Sequence, residues 1–212
     1  MNIKIRNEEE KDYKRVEDIT RQAFWNLYVP GCVEHYLVHT MRTHEDFIPE
    51  LDFVIELNNQ VIGNIMYTKA KLVDSKGVEK QILTFGPYCI MPEYQRKGYG
   101  KMLLEQSFKK AIELGYDVIV IFGSPSNYVS RGFKSCKKYN ICMEDKIFPS
   151  AMLVKELKPN ILDGRQWTYF DSPVMRVDEK DVKKFDDGLE KMEKEFKPSQ
   201  EEFYINSHSV VM

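Results

Sequence analysis

A mixed α/β fold of the α+β type, with one mostly antiparallel sheet and helices on both faces, is what this sequence predicts, on three observations. Leu51, Phe53, Ile55 and Leu57 alternate with Asp52, Val54 and Glu56, and the Asn58-Asn59 turn then leads into Val61–Val73, which reads as a hairpin. Val118 to Phe122 is apolar at every position, as expected of a central strand covered on both faces. Leu104, Phe108, Ala111 and Ile112, ending at Gly115, recur at helical spacing and put one apolar stripe on the core side of a helix.

The remaining elements follow in order. Ile3 and Ile5 alternate with Lys4 and Arg6 in a short first strand, and the acidic run Glu8–Glu10 leads into a helix through Tyr13, Val16, Ile19, Ala23 and Phe24. Pro30 and Gly31 break an aromatic stretch before a second helix through Val33, Leu37 and Met41. After the hairpin, Asp74 to Gly77 form a turn and residues 82–91 return as the fourth strand. Ile141 and the stretch 151–157 supply closing strands around Pro149. Beyond Lys158-Pro159 the pattern loosens, and Val182, Phe185, Leu189, Met192 and Phe196 mark an amphipathic helix over about 178–197. The expected organisation is one main domain at 1–157 and a C-terminal extension at 158–212. Its helix either docks on the main domain or serves a homodimer or other partner, since two heptads are too few for a free coiled coil.

Composition bounds the function classes. A chain of 212 residues supports one domain with a good-sized core, and a formal charge of −2 gives no global basic field, which disfavours nucleic acid as the main partner. Cys32, Cys89, Cys136 and Cys142 form no C-x-x-C pair, and residues 1–6 hold no apolar signal core, so a reduced, cytoplasmic protein is expected. No apolar run reaches the ~20 residues of a membrane span. His35 and His39 lie one helical turn apart with His44 beyond, but without H-E-x-x-H or a cysteine pair no metal site is assigned.

Chemistry concentrates at Tyr88–Leu114. The turn Gln95, Arg96, Lys97, Gly98, Tyr99, Gly100 opens directly onto a helix, whose unpaired N–H groups and partial positive charge suit a pyrophosphate. Gly98 and Gly100 allow close backbone approach, while Arg96, Lys97 and Lys101 add charge at the mouth. A Walker A loop fails, with Gln95 where its first glycine should stand and Met102 in place of Ser or Thr. The dinucleotide fingerprint fails at Leu103.

What remains, Q/R-x-x-G-x-G/A, resembles the acetyl-CoA-binding motif of the GNAT acyltransferases. The resemblance extends upstream through residues 88–94 and downstream to Gly123-Ser124-Pro125-Ser126-Asn127-Tyr128-Val129-Ser130-Arg131-Gly132-Phe133, which is similar to that family's Y-x-x-x-G-F segment. Glu34-x-x-Leu37-Val38-x-x-Met41-Arg42 and Phe85-Gly86-Pro87-Tyr88 are similar to a branch of bacterial acetyltransferases, and the likeness covers roughly residues 1–157.

The resemblance implies a sheet whose fourth and fifth strands splay to admit acetyl-CoA. Cys89, Ile90 and Met91 would then line the pantetheine arm, with the Ile90 amide as oxyanion donor. Gln95, Arg96, Lys97, Gly98, Tyr99, Gly100 and Lys101 would cradle the pyrophosphate, and Asn127 would bond the arm. Tyr128 matches the tyrosine that protonates departing thiolate; the alternative is a ring that only packs on the arm. The family's glutamate on the fourth strand has no counterpart in residues 82–91. Glu56, Glu34, His35 or a water chain ending at Tyr88 stay open as the base, and Cys89 as a covalent nucleophile is disfavoured. The implied activity is direct acetyl transfer to a primary amine, of a small molecule or of a protein N-terminus or lysine. The small amine is favoured, since the aromatic rim of Phe24, Trp25, Tyr28 and Tyr36 would suit a compact or apolar acceptor. A silent CoA-binding sensor and an enzyme using longer acyl chains are the other readings.

Overall fold

The computed structural model describes residues 2–212. Its elements run β1 (Ile3–Asn7), α1 (Tyr13–Phe24), α2 (Glu34–Met41), β2 (Phe53–Leu57), β3 (Gln60–Asp74), β4 (Glu79–Ile90), α3 (Tyr99–Glu113), β5 (Val118–Phe122), α4 (Pro125–Tyr128), β6 (Lys134–Ser135), β7 (Ile141–Cys142), β8 (Met152–Glu156), β9 (Trp167–Phe170), α5 (Glu179–Asp186) and α6 (Pro198–His208). The main path of the sheet is β1-β2-β3-β4-β5-β8-β6, antiparallel at every step except the parallel pair β4-β5.

Strand alternation sorts the core onto two faces. On β2, Phe53 and Ile55 pack with Leu103, Leu104, Phe108 and Ala111 of α3, whereas Val54 points to the other face with Val16, Ile19, Leu37 and Met41 of α1 and α2. Helices therefore cover both faces. Leu103 occupies the core side of α3, and Ile112, expected in the apolar stripe, is exposed. Gly115 ends the helix in the left-handed conformation at φ +90°.

Two features shape the middle of the sheet. A bulge places Gly86 and Pro87 of β4 opposite Met66, between the pairs Ile65↔Tyr88 and Tyr67↔Phe85. Close to it, Gly63 lets β3 approach β4, since a Cβ there would run into the Ile90 side chain and the Cys89 carbonyl.

The C-terminal residues are woven into this frame. The far half of the long β3 pairs with β9, four residues the periodicity does not announce. Of the helix expected over 178–197, only Glu179–Asp186 is helical, and a further helix, α6, follows at Pro198. The carbonyls of Glu190 and Glu193, which a continued helix would have used internally, instead accept from the side chains of Arg21, Trp25 and Asn26. Tertiary bonds replace the local ladder.

Candidate active site

Parallel strands β4 and β5 meet at the single pair Leu83↔Ile119 and then part. β4 runs on to Ile90 without that neighbour. The Met91 amide donates to the Ile62 carbonyl at 2.8 Å, so the neighbouring Ile90 N–H and C=O face the opposite edge, toward the gap left by β5. The Ile90 carbonyl there accepts from Gln95 Nε2 at 2.9 Å. This bond ties the first residue of the glycine turn to the open strand edge.

Gly98 caps α3 in the left-handed region at φ +90°, and Arg96 is also left-handed at +61°. Met102 is the residue whose amide bonds back to the Gly98 carbonyl, so the amides of Tyr99, Gly100 and Lys101 form the unpaired first turn. No acidic residue stands in that turn to compete for its positive end. Gly100 has a second reason: a Cβ there would collide with the Tyr88 hydroxyl.

Across the gap, Gly123 plays the same part for Tyr128, whose ring carbon Cε2 would lie 2.6 Å from an added Cβ. The Tyr128 ring rests among Phe85, Tyr88 and Phe133, with centroids 5.9, 6.4 and 5.6 Å away. Burial pushes its phenol well above the ordinary value, with smaller contributions from Tyr28, Tyr88 and Tyr67. The group therefore holds its proton at neutral pH, as a proton donor must.

These parts enclose one cleft of about 530 Å³. Its walls include Tyr88, Cys89 and Ile90 of β4, then Gln95, Arg96, Gly98, Gly100 and Lys101, then Asn127, Tyr128 and Arg131, and on the α1 side Phe24, Leu27 and Tyr28. Among the described residues no Asp or Glu lines it. Three residues named from sequence sit differently. Met91 has its amide on Ile62 and does not line the cleft, Tyr99 is buried in the core, and Lys97 turns back onto the Glu93 carbonyl and the Tyr94 ring.

The aromatic rim also divides. Phe24 and Tyr28 face the cleft, whereas Trp25 lies against the Arg21 guanidinium and bonds the Glu193 carbonyl, and Tyr36 packs on Phe185. Residues that sequence reasoning missed are Leu27 and Arg131. Arg131 lies within the Y-x-x-x-G-F segment, and its charge was the available signal.

The base candidates separate as well. Glu56 is paired with Arg6, and His35 is buried between Cys32 and Asp186, at 3.3 and 3.0 Å. Glu34 is half-buried, accepts from the Val33 amide at 3.0 Å, and is pushed up by burial. Its charge reaches far enough to raise Tyr28, which burial already lifts to about 12, and Cys89. The Cys89 thiol points away from the cleft toward Asn64 Oδ1 at 3.1 Å, and burial pushes it up to about 12, so it is a poor nucleophile. No helix among the described residues is long and apolar enough to cross a membrane.

Comparison with known proteins agrees with this geometry. The model of the "Acetyltransferase (GNAT) family" matches residues 21–135. An uncharacterized N-acetyltransferase of Escherichia coli K12, YjhQ, is 26% identical over 122 residues, covering 57% of this chain and 62% of that protein's length. Among solved structures, the GNAT-family YhbS of E. coli in complex with CoA superposes with a TM-score of 0.71 at 21% identity, covering 82% of this chain and 92% of that one. A GNAT-family acetyltransferase of Brucella melitensis in complex with acetyl-CoA gives 0.65 at 20% identity, covering 82% and 99%. These structures share the fold of this chain.

Proposed function

The chain belongs to the GNAT family of acetyltransferases, and from that premise we propose that it moves an acetyl group from acetyl-CoA directly to the primary amine of a small molecule. The observation that carries this reading is that one cleft is lined together by the glycine turn of α3, the open edge of β4 and Tyr128. The CoA and acetyl-CoA complexes of the two structural relatives support acetyl-CoA as donor. The catalytic domain is assigned to residues 1–157, with 158–212 as a C-terminal extension.

Each residue answers one requirement of acyl transfer. The first-turn amides of α3, with Arg96 and Lys101, hold pyrophosphate, while Asn127 bonds the pantetheine arm. The Ile90 N–H faces the carbonyl oxygen as it gains charge, where a fixed donor contributes most. Tyr128 gives its proton to the departing thiolate. The ordinary values of phenol and thiol, about 10 and about 8.5, lie close enough for that transfer. With no carboxylate lining the cleft among the described residues, the amine proton leaves through a water chain that ends at Tyr88. The amine's lone pair forms the new C–N bond as the C–S bond breaks.

The test is Tyr128→Phe, read by thiol release and by titration with acetyl-CoA. Turnover falls by about 100-fold or more while acetyl-CoA affinity stays near that of the wild type. Unchanged turnover in the variant removes Tyr128 from the chemistry. A second reading, a CoA-binding sensor, is favoured by the absence of any acid in residues 82–91. It predicts binding with no thiol release from any amine.

A further inference from the structure

We propose that the C-terminal strap contributes to the amine pocket through Phe203 and selects acceptors that carry a flat apolar group next to the amine. This rests on the acetyltransferase reading above and names its substrate class.

The strap is the stretch from α5 to α6, and it holds the segment that forms the acceptor-side wall. The Arg21 side chain donates to the Glu190 carbonyl, Trp25 Nε1 and Asn26 Nδ2 both donate to the Glu193 carbonyl, and the Glu195 amide returns a bond to Asn26 Oδ1. From α6, the Ser199 hydroxyl donates to the Leu27 carbonyl at 2.8 Å and Gln200 Nε2 to the Asn26 carbonyl at 3.1 Å. Asn26 is buried and left-handed at φ +59°, a conformation that asparagine adopts more readily than most residues with a side chain, and its side chain bonds the strap. The strap therefore fixes the turn that aims Leu27 and Tyr28 into the cleft.

Phe203 supports the wall from behind Tyr28. Its ring stacks on Tyr28 at 4.6 Å between centroids and 29° between planes, and Tyr28 in turn tilts against Phe24 at 5.8 Å. Tyr28 and Phe24 line the cleft, and Phe203, outside that lining and 39% exposed, backs Tyr28 and sets the position of its ring. The charged groups lining the cleft are cationic, Arg96, Lys101 and Arg131, and no carboxylate lines it among the described residues. With no carboxylate lining it, such a site offers a polycation no counter-charge and suits a single amine on an apolar ring. A rigid ring packs against Phe24 and Tyr28 at little cost in ordering, which a floppy chain does not match.

The experiment uses the full-length chain with acetyl-CoA and three acceptors: 2-phenylethylamine, spermidine and an alanine-terminated peptide. The expected result is the highest kcat/KM with 2-phenylethylamine. Phe203→Ala then raises KM for that amine about tenfold, with kcat and acetyl-CoA affinity within about twofold of wild type, and Phe203→Tyr, which keeps the ring, restores KM. Preference for spermidine or the peptide, or an unchanged KM in Phe203→Ala, overturns the pocket assignment and leaves the donor site standing. Acetyl-CoA binding without release from any of the three amines overturns it equally. Failure to bind acetyl-CoA at all removes the acetyltransferase reading itself.

Discussion

Gly100→Ala isolates the contact on which the donor site closes. The family pattern admits glycine or alanine at this position, so an alanine there is not foreign to the motif. In this chain, however, the methyl group would fall on the Tyr88 hydroxyl and lie 3.3 Å from Tyr88 Cζ. Unstrained carbon contacts begin near ~3.5 Å, so the hydroxyl must retreat by about 1 Å or the first turn of α3 must lift from β4. Tyr88 has little room, because its ring packs against Phe85 and Tyr128 at 6.0 and 6.4 Å. Overpacking of this kind costs about 1–3 kcal/mol. Lifting α3 shifts the anion-binding amides relative to the Ile90 edge, so the cost falls on acetyl-CoA affinity, about 5- to 150-fold.

Calorimetric titration of four proteins decides the matter: wild type, Gly100→Ala, Tyr88→Phe and the double variant. Gly100→Ala weakens binding at least fivefold. Tyr88→Phe alone changes it little, and the double variant recovers most of the loss because the colliding oxygen is gone. The coupling between the two sites amounts to about 1 kcal/mol or more. Wild-type affinity in Gly100→Ala, or a double variant no better than the single, refutes the contact and with it the explanation of this glycine.

Two further perturbations test neighbouring parts. Gly123→Ala drives a methyl group into the Tyr128 ring, 2.6 Å from Cε2, and displaces the hydroxyl; turnover falls about 100-fold, more than acetyl-CoA affinity does, as thiol release and titration together report. Asp52 is buried beside Glu8 and its carboxyl is pushed up to about 9, mainly by burial. A group raised on folding stabilises fully below its unfolded value and loses that contribution as pH rises toward the folded one. The wild type is therefore handicapped between pH 4 and 9, and Asp52→Asn gains there by more than about 1 kcal/mol, or about 3 °C in Tm at pH 8.5, with no gain at pH 4. An equal Tm difference at both pH values contradicts this.

How much of this was legible in the sequence depends on how local each signal is. The glycine turn, α3 and the strand Val118–Phe122 were readable because spacing, capping glycine and apolar run all lie within one stretch. α6 was not. Its apolar residues Phe203, Tyr204 and Ile205 are consecutive rather than three or four apart, and only Pro198 at its start marks it. Leu189, Met192 and Phe196 have helical spacing without forming a helix: they follow Gly188, and the carbonyls of Glu190 and Glu193 between them accept from the side chains of Arg21 and Trp25. At the site, Gln95, Gly98, Gly100 and Tyr128 were readable from motif residues. That Trp25 turns from the cleft while Tyr28 faces it depends on the left-handed Asn26 between them, which no periodicity encodes.

The central claim is that the gap between β4 and β5, capped by the α3 turn, holds acetyl-CoA, and a calorimetric titration of the wild-type chain with acetyl-CoA tests it most directly. The account predicts saturable one-site binding that weakens as salt rises, because the α3 amides, Arg96 and Lys101 meet phosphate charge at an open mouth. The absence of binding at millimolar acetyl-CoA would contradict it.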